Sequence, residues 1–358
     1  MISKTLLKED ERVDILFTGL IRTPERFKQS IEEMKEMQKE GIIKNIILST
    51  WVGEVEKFPD IGEFLIENGV KIIKSEEPNP RGWGNIWCQM KALDVALNQV
   101  EEGRFALKTR SDVHIKKDFL RTLFLNKKKV LKIEKDLPRG NIFKYKVWCP
   151  YFELKTIFHM ADECFFGERG DMKKLVNYDG SYDTLYKVGG GINHIRRFIH
   201  PFLEKYPELY HYLKRHSKDS PLKSFLIKFS KKFFEVREFK FVRERGKNYK
   251  INIFKKQIKD EKFLMALIVY YSIINSHFYI DSRSADNLIE WRNSSRIGPK
   301  SDVKIIENNF TADKMYQPLS GQIYIYDMEL LDALFNNKFE KTRLNEILTS
   351  TIKKFYNQ

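Results

Sequence analysis

Along the first part of the chain, short continuous apolar runs alternate with longer stretches whose apolar residues recur three or four apart. VDILFTGL (Val13 to Leu20) predicts a strand, and Thr23-Pro24-Glu25 then opens a helix, with Thr as cap and Pro in the first turn. That helix carries IEEMKEMQKEG and stops near Gly41. IKNIILSTW (Ile43 to Trp51) predicts a strand covered on both faces, since it contains a continuous apolar stretch. Ile61 to Asn68 follows as helix, VKIIKSEE (Val70 to Glu77) as strand, QMKALDVALNQV (Gln89 to Val100) as helix, and FALKTRSDVHI (Phe105 to Ile115) as a strand running into a polar loop. The alternation predicts an α/β fold with a mostly parallel sheet and helices on both faces. Such sheets bind ligands at the carboxyl edge of their strands, so the loops Thr18 to Glu25, Ser49 to Glu54 and Arg110 to His114 draw attention.

The second half reads differently. From Leu213 to Lys256 the chain carries 15 basic and 4 acidic residues, most of the net charge of +15. Phe225, Phe229, Phe233 and Phe234 recur there at near-helical spacing among lysines, which fits either an interfacial amphipathic helix or a core-packing helix with a solvated basic face. A division into a nucleotide-binding domain over 1–210 and a basic, mostly helical region over 211–358 follows. The apolar segment Phe263 to Ile280 holds Ser272, Asn275, Ser276 and His277, and predicts a buried helix and not a membrane span.

With 42% hydrophobic and 32% charged residues among 358, and only 18 Gly and 11 Pro, the chain is neither disordered nor fibrous in composition. Its basic excess suits an acidic partner: nucleic acid, phosphosugar or anionic lipid. Cys88, Cys149 and Cys164 are far apart and odd in number, which points to reduced thiols in a cytoplasmic protein, and MISKTLLKEDERVDILFTG lacks the apolar run of a signal peptide.

Four segments carry candidate chemistry. In Leu107 to His114 a strand delivers Asp112 into a loop, as coordination of a divalent cation on a diphosphate would require. Asp112 and His114 share a side if the backbone stays extended, making His114 a second metal ligand or a neutral phosphate donor, while Arg110 neutralises phosphate. The plainer alternative is a surface pair of Arg110 with Asp112. In Asn79 to Gln89, two glycines precede a helix start, Asn85 and Gln89 share a helical face, and Trp83 and Trp87 suit stacking on a base or sugar; a turn with two core tryptophans is the alternative. In Phe158 to Gly167, Asp162 and Glu163 precede an aromatic run that would desolvate a general base, or else Asp162 caps a helix. Gly189 to Gly191 ahead of Arg196 and Arg197 suit an anion or a flexible acceptor-side loop.

In this order ILSTWVGE, Asn85 to Gln89, ALKTRSDVHI and HMADECFFGERGDM resemble the WavE family of lipopolysaccharide-synthesis proteins, bacterial proteins regarded as glycosyltransferases. The likeness covers roughly residues 10 to 210, and LKTRSD and DxxFFG are its sharpest parts. It implies a GT-A-like, Rossmann-type domain that binds a nucleotide-sugar, in which an Asp-x-Asp motif usually holds Mn2+ or Mg2+. Here Ser111-Asp112-Val113-His114 puts His in place of the second Asp, which leaves the metal open. The resemblance also implies that Thr18, Gly19 and Arg22 lie near the nucleotide, and Asp162 and Glu163 on the acceptor side.

The expectation is a glycosyltransferase using a nucleotide-sugar donor and a glycan or lipid-linked glycan acceptor for lipopolysaccharide core or capsule. It would act from the cytoplasm, peripheral on the inner face of the inner membrane, against an anionic lipid surface. The alternatives are a non-enzymatic nucleic-acid-binding protein, which lacks any recognisable fold signature here, and an inactive scaffold of the same fold.

Overall fold

The computed structural model describes residues 7–79, 81, 85–134, 136–137, 139–150, 152–153, 159–160, 163–176, 178 and 200–209, with short pieces at 269, 273, 276–280, 289–291, 318–319 and 322–323. In chain order these form β1 (Val13–Thr18), α1 (Pro24–Lys39), β2 (Ile43–Trp51), α2 (Pro59–Glu67), β3 (Lys71–Ser75), α3 (Ile86–Leu97), β4 (Phe105–Thr109), β5 (Val113–Ile115), α4 (Lys117–Leu125), α5 (Lys127–Val130), β6 (Val147–Cys149), β7 (Phe152–Glu153), β8 (His159–Met160), β9 (Phe165–Glu168), α6 (Arg169–Lys174), β10 (Phe278–Ile280), β11 (Ile289–Trp291), β12 (Pro318–Leu319) and β13 (Gln322–Ile323).

The fold is mixed α/β, built on a seven-stranded sheet of order β10-β6-β9-β4-β1-β2-β3. Only β9 runs against the others: β1 pairs in parallel with β2 and β4, β2 with β3, and β10 with β6, while β9 is antiparallel to both β4 and β6. β1 and β4 are buried along their whole length, as near-continuous apolar strands covered on both faces must be. On one face Val13, Ile15, Phe17, Phe105, Leu107 and Phe166 join Phe27, Ile31 and Met34 of α1, Ile61 and Leu65 of α2, and Leu120 and Phe124 of α4 in a single core. On the other face α3 packs over β1 and β2, with α6 beside it.

The chain divides into two compact units, one of Met1–Asp179, Gly190–Pro201 and Ile274–Phe310, the other of Gly180–Gly189, Phe202–Ile273 and Thr311–Gln358. The sheet belongs to the first and takes an edge strand from beyond residue 210, where composition put the boundary. In the second, Phe202, Leu203, Tyr206 and Leu209 are buried and β12 pairs antiparallel with β13. No helix among the described residues is long and apolar enough to cross a membrane.

Two expected elements come out differently. Val269, Ile273, Ser276 and His277 are helical, but Phe278 to Ile280 is strand; the change falls where buried His277 accepts the Ile142 N–H at Nε2 (3.0 Å). The run Phe105 to Ile115 is also not one strand. It turns at Ser111 and Asp112, because the Ser111 hydroxyl donates to the Leu20 carbonyl (2.6 Å) and accepts from the Arg22 N–H (3.2 Å), and β5 then pairs antiparallel with β11.

Lys127 shows what the packing costs. It is 4% exposed, its Nζ donates to the Phe124 carbonyl (3.1 Å), and burial lowers its pKa to about 8 from an ordinary 10.5. Between those values the unfolded chain binds the proton more tightly. Stability therefore rises with pH from about 8 toward 10.5, the penalty being fully present below 8. Lys127→Met is expected to stabilise the protein by about 1–2 kcal/mol at pH 7, after allowing for solvent screening, and to flatten that rise. Urea denaturation at pH 7 and pH 10 checks this; equal gains at both pH values would contradict it.

Candidate functional site

The carboxyl ends of β1 to β4 lie along one edge of the sheet. The chain moves from β1 through α1 and α2 toward β3, then returns by way of α3 to β4 on the other side of β1. The crossovers therefore diverge between β1 and β4, the position where open α/β sheets leave a crevice.

A cleft of about 120 Å³ opens there. The end of β1 and the loop after it line the cleft with Thr18, Gly19, Leu20 and Arg22, the other strands and the residues just after them with Trp51, Glu77, Lys108 and Arg110, and the α3 side with Arg81, Asn85, Cys88, Gln89 and Ala92. Gly19 has φ +98°, a conformation that side chains resist, and donates its N–H to the Ser49 carbonyl (2.9 Å). The buried Glu54 carboxylate accepts the Ile21 N–H (2.9 Å), so the loop after β2 holds the loop after β1. Asn85 starts α3 in the left-handed region, at φ 59°, which asparagine tolerates.

Four cationic side chains line the cleft, Arg22, Arg81, Lys108 and Arg110, against one carboxylate, Glu77. Arg81 pairs with Glu77 (2.7 Å). Lys108 is nearly fully buried; its Nζ donates to the Glu163 carbonyl (3.2 Å) and lies 5.3 Å from the centre of the Phe165 ring. Behind the wall sits Asp112, fully buried. Arg110 donates to it through Nε (2.8 Å) and Nη2 (2.7 Å), a two-pronged contact that fixes the guanidinium plane, and Arg22 Nη1 approaches the same carboxylate at 3.4 Å.

No known family model, characterised protein or solved structure matches the chain.

Of the residues singled out in the sequence, Thr18, Gly19, Arg22, Asn85, Gln89 and Arg110 meet in this one cleft. His114 does not. It faces α1, where Nε2 lies 3.0 Å from both carboxylate oxygens of Glu33. Asp112 is instead tied to Arg22, just before that helix, and Glu33 sits about 13 Å along the helix axis from Pro24. The turn at Ser111 and Asp112 removes the shared side that an extended strand would have given. The pair does not fit one divalent cation, because both Asp112 oxygens already receive guanidinium N–H groups and the His114 ring is taken up by Glu33. Among the described residues, no group of three or more His, Cys, Asp or Glu is arranged to hold a metal.

Glu163 meets the cleft wall through its backbone carbonyl, and the residues after it enter strand β9. Trp87 stacks on Tyr178 at 6.3 Å between ring centres. Asp162, Trp83, Gly189 to Gly191 and the basic stretch 213–256 lie outside the described residues.

Sequence reasoning missed Lys108, Trp51, Glu77 and Cys88. A signal existed for Lys108: a lone charge inside the apolar strand FALKT must either be paired or open onto a site. Cys88 lies 3.7 Å from Glu77 Oε1, and burial, then the charge of Glu77, pushes its pKa to about 11, so it remains a thiol at neutral pH.

Proposed function

We propose that the chain is a glycosyltransferase that moves a sugar from a nucleotide-sugar donor to a glycan acceptor of the bacterial cell surface, lipopolysaccharide core or capsule. The observation that carries this is the cationic cleft at the carboxyl edge between β1 and β4. A sheet of order 3-2-1-4 continued by one antiparallel strand agrees with a GT-A arrangement and with the WavE likeness of residues 10 to 210.

In this mechanism the cations stabilise the negative charge that grows on the leaving nucleotide, a preorganised interaction that strengthens toward the transition state. Asn85 and Gln89 hold the donor from the α3 side. If the enzyme inverts, Asp162 or Glu163 takes the proton of the acceptor hydroxyl. The basic stretch 213–256 would bring the protein to the anionic inner face of the inner membrane, at about 1 kcal/mol per Lys or Arg near the surface.

A thermal-shift panel of UDP, GDP, ADP, dTDP and CMP tests the reading. At about a hundred times its dissociation constant, a ligand adds roughly 2.7 kcal/mol. One nucleotide should stabilise the wild type and stabilise Arg110→Ala much less. No shift with any nucleotide, alongside steeply salt-dependent binding of RNA or DNA, would overturn it in favour of nucleic-acid binding.

A further inference from the structure

Asp112 sits where a metal-binding carboxylate would be expected, yet it is fully buried and is not among the residues lining the cleft. Its two oxygens are occupied by cations of this chain. Arg110 grips both through Nε and Nη2, and Arg22, from the opposite loop, reaches one. Both guanidinium groups belong to side chains that do line the cleft. A divalent cation added at this carboxylate would face two fixed positive charges at hydrogen-bonding range, with no second carboxylate among the described residues of the loop. A bare phosphate group would meet the same charges with the favourable sign.

The backbone braces this arrangement independently. Ser111, between Arg110 and Asp112, donates to the Leu20 carbonyl and accepts the Arg22 N–H, and the Thr23 hydroxyl donates to the Ser111 carbonyl (3.3 Å). The two arginines thus come from loops 88 residues apart that are tied at three points. Buried Lys108, one strand residue before Thr109, adds a third cation to the same wall.

We propose that the cleft binds the diphosphate of its ligand with Arg22 and Arg110 in place of a divalent cation, and that Asp112 is the positioning residue that holds those two guanidinium groups. This rests on the transferase reading for the identity of the ligand as a nucleoside diphosphate. The Arg110 guanidinium plane is set before the ligand arrives, so little of its side-chain freedom is lost on binding.

The test is calorimetric titration of the full chain with UDP, GDP, ADP and dTDP, in EDTA and again in Mn2+, followed by the matching nucleoside monophosphate. The expected result is one diphosphate bound equally well in EDTA. Arg110→Gln should weaken it by about 10–100-fold, the range for a lost charge-assisted contact, and Arg22→Gln by less. Asp112→Asn should lower the preference for diphosphate over monophosphate, with no rescue by Mn2+, a change in ratio that general loosening of the fold would not produce. If Asp112→Asn fails to fold, the two arginine variants carry the test. Binding that disappears in EDTA and returns with Mn2+ would overturn the inference and leave the transferase reading standing. No nucleotide bound under either condition would overturn that reading, and this inference with it.

Discussion

Replacing Phe166 by alanine is expected to cost about 3–5 kcal/mol of folding stability. Phe166 is fully buried on β9, the one strand that runs against the rest of the sheet, and it pairs across to Leu107. Its ring lies 5.0 Å from that of Phe124 and 5.8 Å from that of Phe105, in the core that α1, α2 and α4 close. Truncation would remove the ring and leave a cavity between a strand and a helix that are each held by other contacts, so collapse would be incomplete. Urea denaturation followed by tryptophan fluorescence is suitable, since Trp148 sits in the same core. The midpoint should fall with little change in slope. A loss under about 1 kcal/mol would mean that β9 is not part of this core.

Asp112→Ala is expected to cost a comparable amount, about 3–5 kcal/mol, for an electrostatic reason. The side chain buries no apolar surface, but removing it leaves Arg110, only 20% exposed, beside Arg22 with the shared carboxylate gone. Breaking a buried ion pair from one side removes the carboxylate that offsets the cost of burying the other charge. Arg22→Ala, at the more exposed end with 37% of its side chain in solvent, should cost no more than about 1 kcal/mol. The same denaturation experiment measures both. Equal losses for the two variants would contradict the ordering.

The parts of the fold that could be read from the sequence were those with local causes. β1, β2 and β4 are largely buried apolar runs, and α1 starts at Pro24 and ends before Gly41 as those residues announce, although Thr23 makes no side-chain cap and gives its hydroxyl to the Ser111 carbonyl instead. The turn at Ser111 was not legible, because its cause lies in Leu20 and Arg22, about ninety residues earlier. The short strands β9 and β10 owe their place to pairing partners far away in the chain, and three or four residues carry too little pattern to announce it. The aromatic pair Phe165 and Phe166 looked like a desolvating wall for a base. Alternation across β9 sends Phe166 into the core and Phe165 to the side of Lys108.

The site was legible in the same uneven way. The loop after β1 and the start of α3 stood out through glycine, arginine and helix-start residues, and they do meet at one edge. For Asp112 the spacing allowed both a metal ligand and a partner for Arg110. The pair with Arg110 is present, but buried, not on the surface, and Arg22 joins it. His114 required knowledge of Glu33, 81 residues away on α1.

Hydrogen exchange of the full chain, with and without the nucleoside diphosphate that binds best, tests most directly whether the cationic cleft is the donor site. Exchange should slow in the loops at 18–23 and 108–112 and at the start of α3, 85–92, while α2 on the other face stays unchanged. Protection confined to other segments, with these three unaffected at saturation, would contradict it.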